Sequence, residues 1–231
     1  MFDISPAEWT AILLSLRVAV VATLVATPFG IALAWLLARR EFWGKSILDA
    51  AVHLPLVLPP VVTGYLLLLT FGRRGLVGAW LADHLGIVFA FRWTGAALAC
   101  GIMSFPLLVR PIRLSIEAID RRLEQASSTL GAAPWQVFAT VTLPLALPGV
   151  LAGMVLGFAK AIGEFGATIT FVSNIPGETQ TISSAIYSLI QTPDGDTAAL
   201  RLVVVSVFIA MAALVASEWF ARRATQRLHG N

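Results

Sequence analysis

Residues 124–144 read EQASSTLGAAPWQVFATVTLP, and this stretch decides the fold. It is a run that cannot lie inside a bilayer, and it separates two long apolar segments. Residues 124–130 favour a short helix with Ala126, Ser127 and Ser128 on its surface. Gly131 suits the position just past the helix end, where a left-handed residue without a Cβ costs least. The helix can resume over 132–142, with Pro134 tolerated in its first turn. Leu143-Pro144 then leads into the next apolar segment. A helix–glycine–helix elbow at a membrane surface, small residues outward, suits docking into a groove on a partner. The same features also fit an ordinary connecting loop.

Composition supplies the setting. The 231-residue chain is 58% hydrophobic and only 13% charged, whereas soluble domains carry about 25% charged residues. It reads as an all-α integral membrane protein with one membrane domain over 11–220. Residues 1–10 form a short external N-terminus and 221–231 a cytoplasmic tail. A net charge of +3 is no footprint for nucleic acid. The single cysteine, Cys100, excludes an intrachain disulfide, and the chain shows no Cys/His metal spacing. No cleavable signal peptide is expected, because no Lys or Arg precedes Arg17 and the first apolar segment is too long.

Five spans are expected, each near or above the roughly 20 residues that cross the hydrocarbon core. They cover about 12–38, 47–71, 93–114, 145–171 and 200–220. Pro55, Pro59 and Pro60 should kink or break the second, making it either a pathway-lining segment or a fixed bend. Pro106 and Pro111 should bend the inner half of the third. His53 fits a satisfied interfacial histidine. Residues 72–92 form an external loop with a short surface helix over 76–85. Residues 171–199 form a second polar external segment with a short helix over 181–191. Ten of the 16 Lys and Arg fall on the docking-loop side and four on the other, which puts that loop and the C-terminus in the cytoplasm and the N-terminus outside. Arg73, Arg74 and Arg92 run against this rule. Seven tryptophans, among them Trp9, Trp43, Trp93 and Trp219, suit an interfacial belt, and Arg17 should snorkel.

The fourth span carries the most specific pattern. Gly149, Gly153, Gly157 and Ala161 recur every four residues and give a smooth face for close helix packing. If that helix also lined a dimer axis, the same face would allow sliding. Lys160 and Glu164 lie four residues apart, Lys160 about 24 Å along the helix from Pro144. Charges at such depth must pair or face water. They read equally as an outer-gate or pathway pair and as a packing lock, and Gly163 and Gly166 permit tight contact or unwinding beside them. Thr168, Thr170 and Ser173 add hydroxyls just beyond this pair, although such hydroxyls commonly bond their own backbone. There is no P-loop, no H-E-x-x-H and no G-x-S-x-G. An energised transporter built on this chain needs an ATPase from elsewhere.

The 124–144 run resembles the EAA loop of type I ABC-importer permeases. Gln125-Ala126-Ser127 fills the first triplet, Gly131 keeps the family spacing, and Val141, Leu143 and Pro144 close the motif. Gln125 replaces a glutamate, Ser127 an alanine and Val141 an isoleucine, with Glu124 adjacent to the altered position. HLPLVLPPVVTGYLLL, GRRG, MSFPLLVR, IGEFGATITFVSNIPGETQTI and YSLIQTP extend the resemblance to the permease subunits of molybdate ABC importers. The resemblance implies a non-catalytic permease homodimer without cofactor or metal in a bacterial inner membrane. It also implies two copies of a cytoplasmic ABC ATPase and an external, periplasmic molybdate-binding protein. Glu124, Gln125, Ala126, Ser127, Gly131, Val141, Leu143 and Pro144 would then couple the permease to the ATPase. Tungstate or sulfate permeases are the nearest alternative. A secondary carrier would need inverted repeats, and a membrane enzyme a convergent acid/base or metal set.

Overall fold

A computed structural model describes residues 4–229, with side chains described through residue 216. Every regular element among the described residues is helical. The first helix, α1, spans Pro6–Arg39 and is set by a reciprocal cap. Ser5 Oγ accepts from the Glu8 N–H at 3.2 Å, while the Glu8 carboxylate accepts from the Ser5 N–H at 2.5 Å. Pro28 lies inside α1 without ending it.

The expected second span is not one helix. Helix α2 (Lys45–Val57) and helix α3 (Pro60–Phe71) meet at 114°. Leu58 and Pro59 both precede a proline, which pushes each out of the helical region, and both adopt extended angles. At about 1.5 Å per residue neither arm alone crosses a core of about 30 Å. The surface helix α4 (Leu76–Leu85) follows where expected and ends at Gly86 in the left-handed region.

Helix α5 (Trp93–Glu117) is the axis of the molecule and runs unbroken through Pro106 and Pro111. Its alanine-rich upper half packs with α1 around Val18, Ala22, Ala96, Cys100 and Met103. Its lower half builds a second core from Leu108, Val109 and Ile112 against Ala34 and Val150. Small residues in these cores let the helix backbones approach closely. After helix α6 (Arg121–Thr129), the short helix α7 (Pro134–Val137) passes through a π turn over Phe138–Thr142 into helix α8 (Leu143–Ile162). Together Pro134–Ile162 is one apolar run of 29 residues.

The fourth span therefore stops at Ile162 rather than near 171. Residues 163–165 leave the helix, and helix α9 (Gly166–Val172) starts afresh and packs on α3. Gly64 makes that contact possible, since a Cβ there would sit 2.5 Å from the Ala167 carbonyl. Helix α10 (Ile182–Leu189) and helix α11 (Asp196–His229) complete the chain. A third core of Ala11, Ile12, Ile182, Ala185 and Leu202 ties α10 and α11 to the start of α1. Among the described residues four helices are long and apolar enough to cross a membrane, giving five spans if the bent pair counts as one. Trp219 and the Arg222, Arg223 and Arg227 charges of the expected tail fall where side chains are not described.

Candidate functional site

The 124–144 stretch forms the elbow expected of it. Asp120 caps α6 by accepting from the Arg122 N–H at 2.9 Å. The helix closes on Gly131, whose φ of 89° only a residue without a Cβ adopts freely. The Gly131 N–H donates to Ser128 O at 3.0 Å and the Ala132 N–H to Ser127 O at 3.3 Å. That double bond pattern is the Schellman turn, and it consumes two of the carbonyls the helix end leaves open. The chain re-enters a helix at Pro134, where the Gln136 side chain accepts from the Ala133 N–H at 2.7 Å. In the π turn Leu143 N–H reaches Phe138 O. Pro144 follows at once and offers no N–H to the carbonyl four residues back.

The elbow presents Leu130, 89% exposed, and Trp135, 70% exposed, at its tip. Gln125, Ala126 and Gly131 are exposed beside them, while Ser127, Val141 and Leu143 are half-buried. Pro144 is exposed at the root. Nothing lies within 4 Å of where a Gly131 side chain would begin, so the turn faces open space.

Glu124 behaves differently from its neighbours in the coupling set: it turns inward as a brace. Its carboxylate accepts from Arg39 Nε at 3.1–3.2 Å and from Thr142 Oγ1 at 2.6 Å. Arg39 also donates to Ile119 O at 3.2 Å. The Arg39 and Glu124 side chains are only 8% and 18% exposed. One carboxylate thus ties α6 to the end of α1 and to the π turn. Arg39 served the sequence reading as a mark of membrane orientation, and no local spacing links it to a residue 85 positions away.

The Lys160–Glu164 pair is formed, with Nζ to Oε2 at 2.6 Å. It is not a pair within one helix, because Glu164 lies in the break after α8. The other Glu164 oxygen accepts from the Ala167 N–H at 3.0 Å and so caps α9. Glu164 is 1% exposed on its side chain. Thr168 is buried and donates to Phe165 O at 2.8 Å, and Thr170 donates to Gly166 O at 2.8 Å. Both hydroxyl protons are spent on the backbone.

The glycine face of α8 lies against α5 of the same chain. A Cβ on Gly153 would meet Leu108 O at 2.5 Å, and one on Gly149 would collide with Ser115. Gly157 is looser, 3.5 Å from Leu108. His53 Nδ1 sits 2.8 Å from Asp49 O, and Asp49 accepts from Arg113 at 2.9 Å, which links α2 to α5. Arg17 lies over the Trp93 ring at 3.8 Å rather than simply snorkelling. No group of three or more His, Cys, Asp or Glu arranged for a metal occurs among the described residues.

Comparison with known proteins agrees with this architecture. The model of the family described as "Binding-protein-dependent transport system inner membrane component" matches residues 26–228. The chain is 60% identical over 220 residues to the "Molybdenum transport system permease protein ModB" of Escherichia coli (strain K12), covering 95% of this chain and 96% of that one. It is 56% identical over 221 residues to the protein of that name from Haemophilus influenzae, covering 96% of each. Among solved structures, a bacterial alginate ABC transporter in complex with an alginate pentasaccharide-bound periplasmic protein superposes with a TM-score of 0.71. That match has 21% identity and covers 97% of this chain and 80% of the other. At that identity the likeness speaks for the fold alone.

Proposed function

The chain belongs to the family of binding-protein-dependent transport system inner membrane components, and from that premise we propose that it is the permease subunit of an ATP-driven molybdate importer. The observation that carries this reading is the near full-length identity to molybdenum permeases. The exposed 124–144 elbow supports the ATP-driven part. It offers Leu130 and Trp135 to a groove and is braced from behind by Glu124. Gln125, Ala126, Ser127 and Gly131 form its docking face. Val141, Leu143 and Pro144 carry its movement into α8.

The working assembly in this reading is a permease homodimer with two cytoplasmic ABC ATPase subunits and an external, periplasmic molybdate-binding protein. The elbow and C-terminus face the cytoplasm, and the N-terminus lies outside. The permease itself performs no catalysis. ATP closes the ATPase pair, draws the two elbows together and turns the pathway outward, and hydrolysis resets it. Lys160, Glu164 and Thr168 sit at the α8–α9 break, which serves as a gate hinge near the external side. Gly149 and Gly153 keep α8 locked on α5 as that hinge works, with Gly157 in ordinary contact on the same face. A tetrahedral dianion passing such a pathway is better served by dipoles than by a fixed cation, and pairing with Glu164 removes the Lys160 charge as a trap.

Uptake of labelled molybdate in a strain lacking its own molybdate permease tests the substrate. This chain, expressed with its ATPase and binding protein, should restore uptake that excess sulfate leaves intact. Sulfate uptake without molybdate uptake would overturn the assignment.

A further inference from the structure

We infer that the cleft behind the elbow is a binding site for an anionic phospholipid. The cleft measures about 480 Å³ and lies between the end of α1, α6 and the α7–π segment. Its lining combines two chemistries. Arg40, Arg121 and Gln125 are among its polar lining residues, and Trp35, Val137 and Phe138 are among its apolar ones.

The polar lining has unused donors. Arg39 is committed to Glu124 and Ile119. Ser128 and Thr129 donate to backbone carbonyls at 2.9 and 2.8 Å. Neither Arg40 nor Arg121 has a carboxylate within 4.0 Å among the described residues, and both are exposed. The nearby Glu41 is engaged by Lys45 at 2.7 Å; that hydrogen bond first, and Arg121 more weakly, hold its carboxyl below the usual range. With the Arg39–Glu124 and Lys45–Glu41 pairs cancelled, the mouth retains two positive charges.

The apolar lining favours a lipid over a free anion. Trp35 packs edge-on to Phe138 at 6.0 Å and lies beneath Arg40 at 5.6 Å. A soluble phosphate has no use for that wall, whereas the glycerol and upper acyl carbons of a phospholipid would cover it. The cleft also sits at the right level. Arg40 caps α1, where the apolar run ends, and the exposed aromatics Phe42 and Trp43 follow directly. Interfacial aromatics mark the headgroup layer, and basic pockets between membrane helices take anionic headgroups. The phosphodiester would lie between the two guanidiniums.

Native mass spectrometry of the intact importer tests this, with phosphatidylglycerol and phosphatidylcholine of matched chains titrated into detergent. The parent should retain phosphatidylglycerol and not phosphatidylcholine. The Arg40→Gln/Arg121→Gln variant should bind it about thirtyfold more weakly, from about 1 kcal/mol per basic side chain near the headgroup layer. Arg40→Gln alone leaves the elbow untouched and should lose about fivefold. Arg73→Gln/Arg74→Gln, at another basic site, should bind like the parent. Equal retention of the two lipids, unchanged binding by both cleft variants, or equal loss in the Arg73/Arg74 control would overturn the site. Displacement of the lipid by millimolar inorganic phosphate would also overturn it, by assigning the cleft to a soluble anion.

Discussion

Replacing Glu124 by alanine should loosen the elbow without unfolding the chain. The carboxylate holds Arg39 at 3.1–3.2 Å and Thr142 at 2.6 Å. Removing one partner of a fully buried pair costs about 3–5 kcal/mol. Here Glu124 is partly exposed and Arg39 keeps Ile119 O, so about 2–3 kcal/mol is expected. The loss should fall on α6, the π turn and the end of α1, which this carboxylate joins. Hydrogen–deuterium exchange of the importer reads it directly. Amides of α6 and the Gly131 turn should exchange about 30- to 150-fold faster, at 1.4 kcal/mol per decade, while those of α5 stay unchanged. Glu124→Gln keeps the bonding geometry without the charge and should fall between. Unchanged exchange in α6, or equal acceleration throughout the chain, would refute the bracing role.

Lys160→Met strands a carboxylate that is 1% exposed and should lower the thermal midpoint in detergent sharply, by an amount equivalent to about 3–5 kcal/mol. Adding Glu164→Gln should recover most of that loss, and a double variant as unstable as the single would refute the pairing argument. Gly153→Leu forces side-chain atoms into the Leu108 carbonyl and should separate α8 from α5. A cost of about 3 kcal/mol or more is expected, seen as a shortened detergent half-life. Gly157→Ala, where the contact is ordinary, should be nearly silent in the same assay.

The elbow was legible because its signals are local. A glycine at a helix end, a proline in a first turn and a run of small residues each act within a few positions. The elbow at 58–60 was half legible. Successive prolines dictate a break, but α3 reaches its 114° by packing Gly64 onto α9, a contact across about a hundred residues. The break at 163–165 was obscured by continuous hydropathy through Phe171. The Glu164 carboxylate serves Lys160 and the Ala167 N–H at once and so holds the break flanked by Gly163 and Gly166. Arg39 and Glu124 carried no pairing signal, since charge at a span end reports orientation whether or not a partner waits beyond it.

The central claim is that residues 124–144 couple this membrane subunit to an ATPase. The most direct measurement is co-purification of the tagged chain from its native membranes in mild detergent, beside a Gly131→Arg variant. Gly131 faces open space at a φ of 89°, so the substitution strains and blocks the elbow while sparing the cores. An ABC ATPase should accompany the parent chain and be lost from an otherwise intact variant. Equal recovery of the ATPase with both, or none with a well-folded parent, would contradict the account.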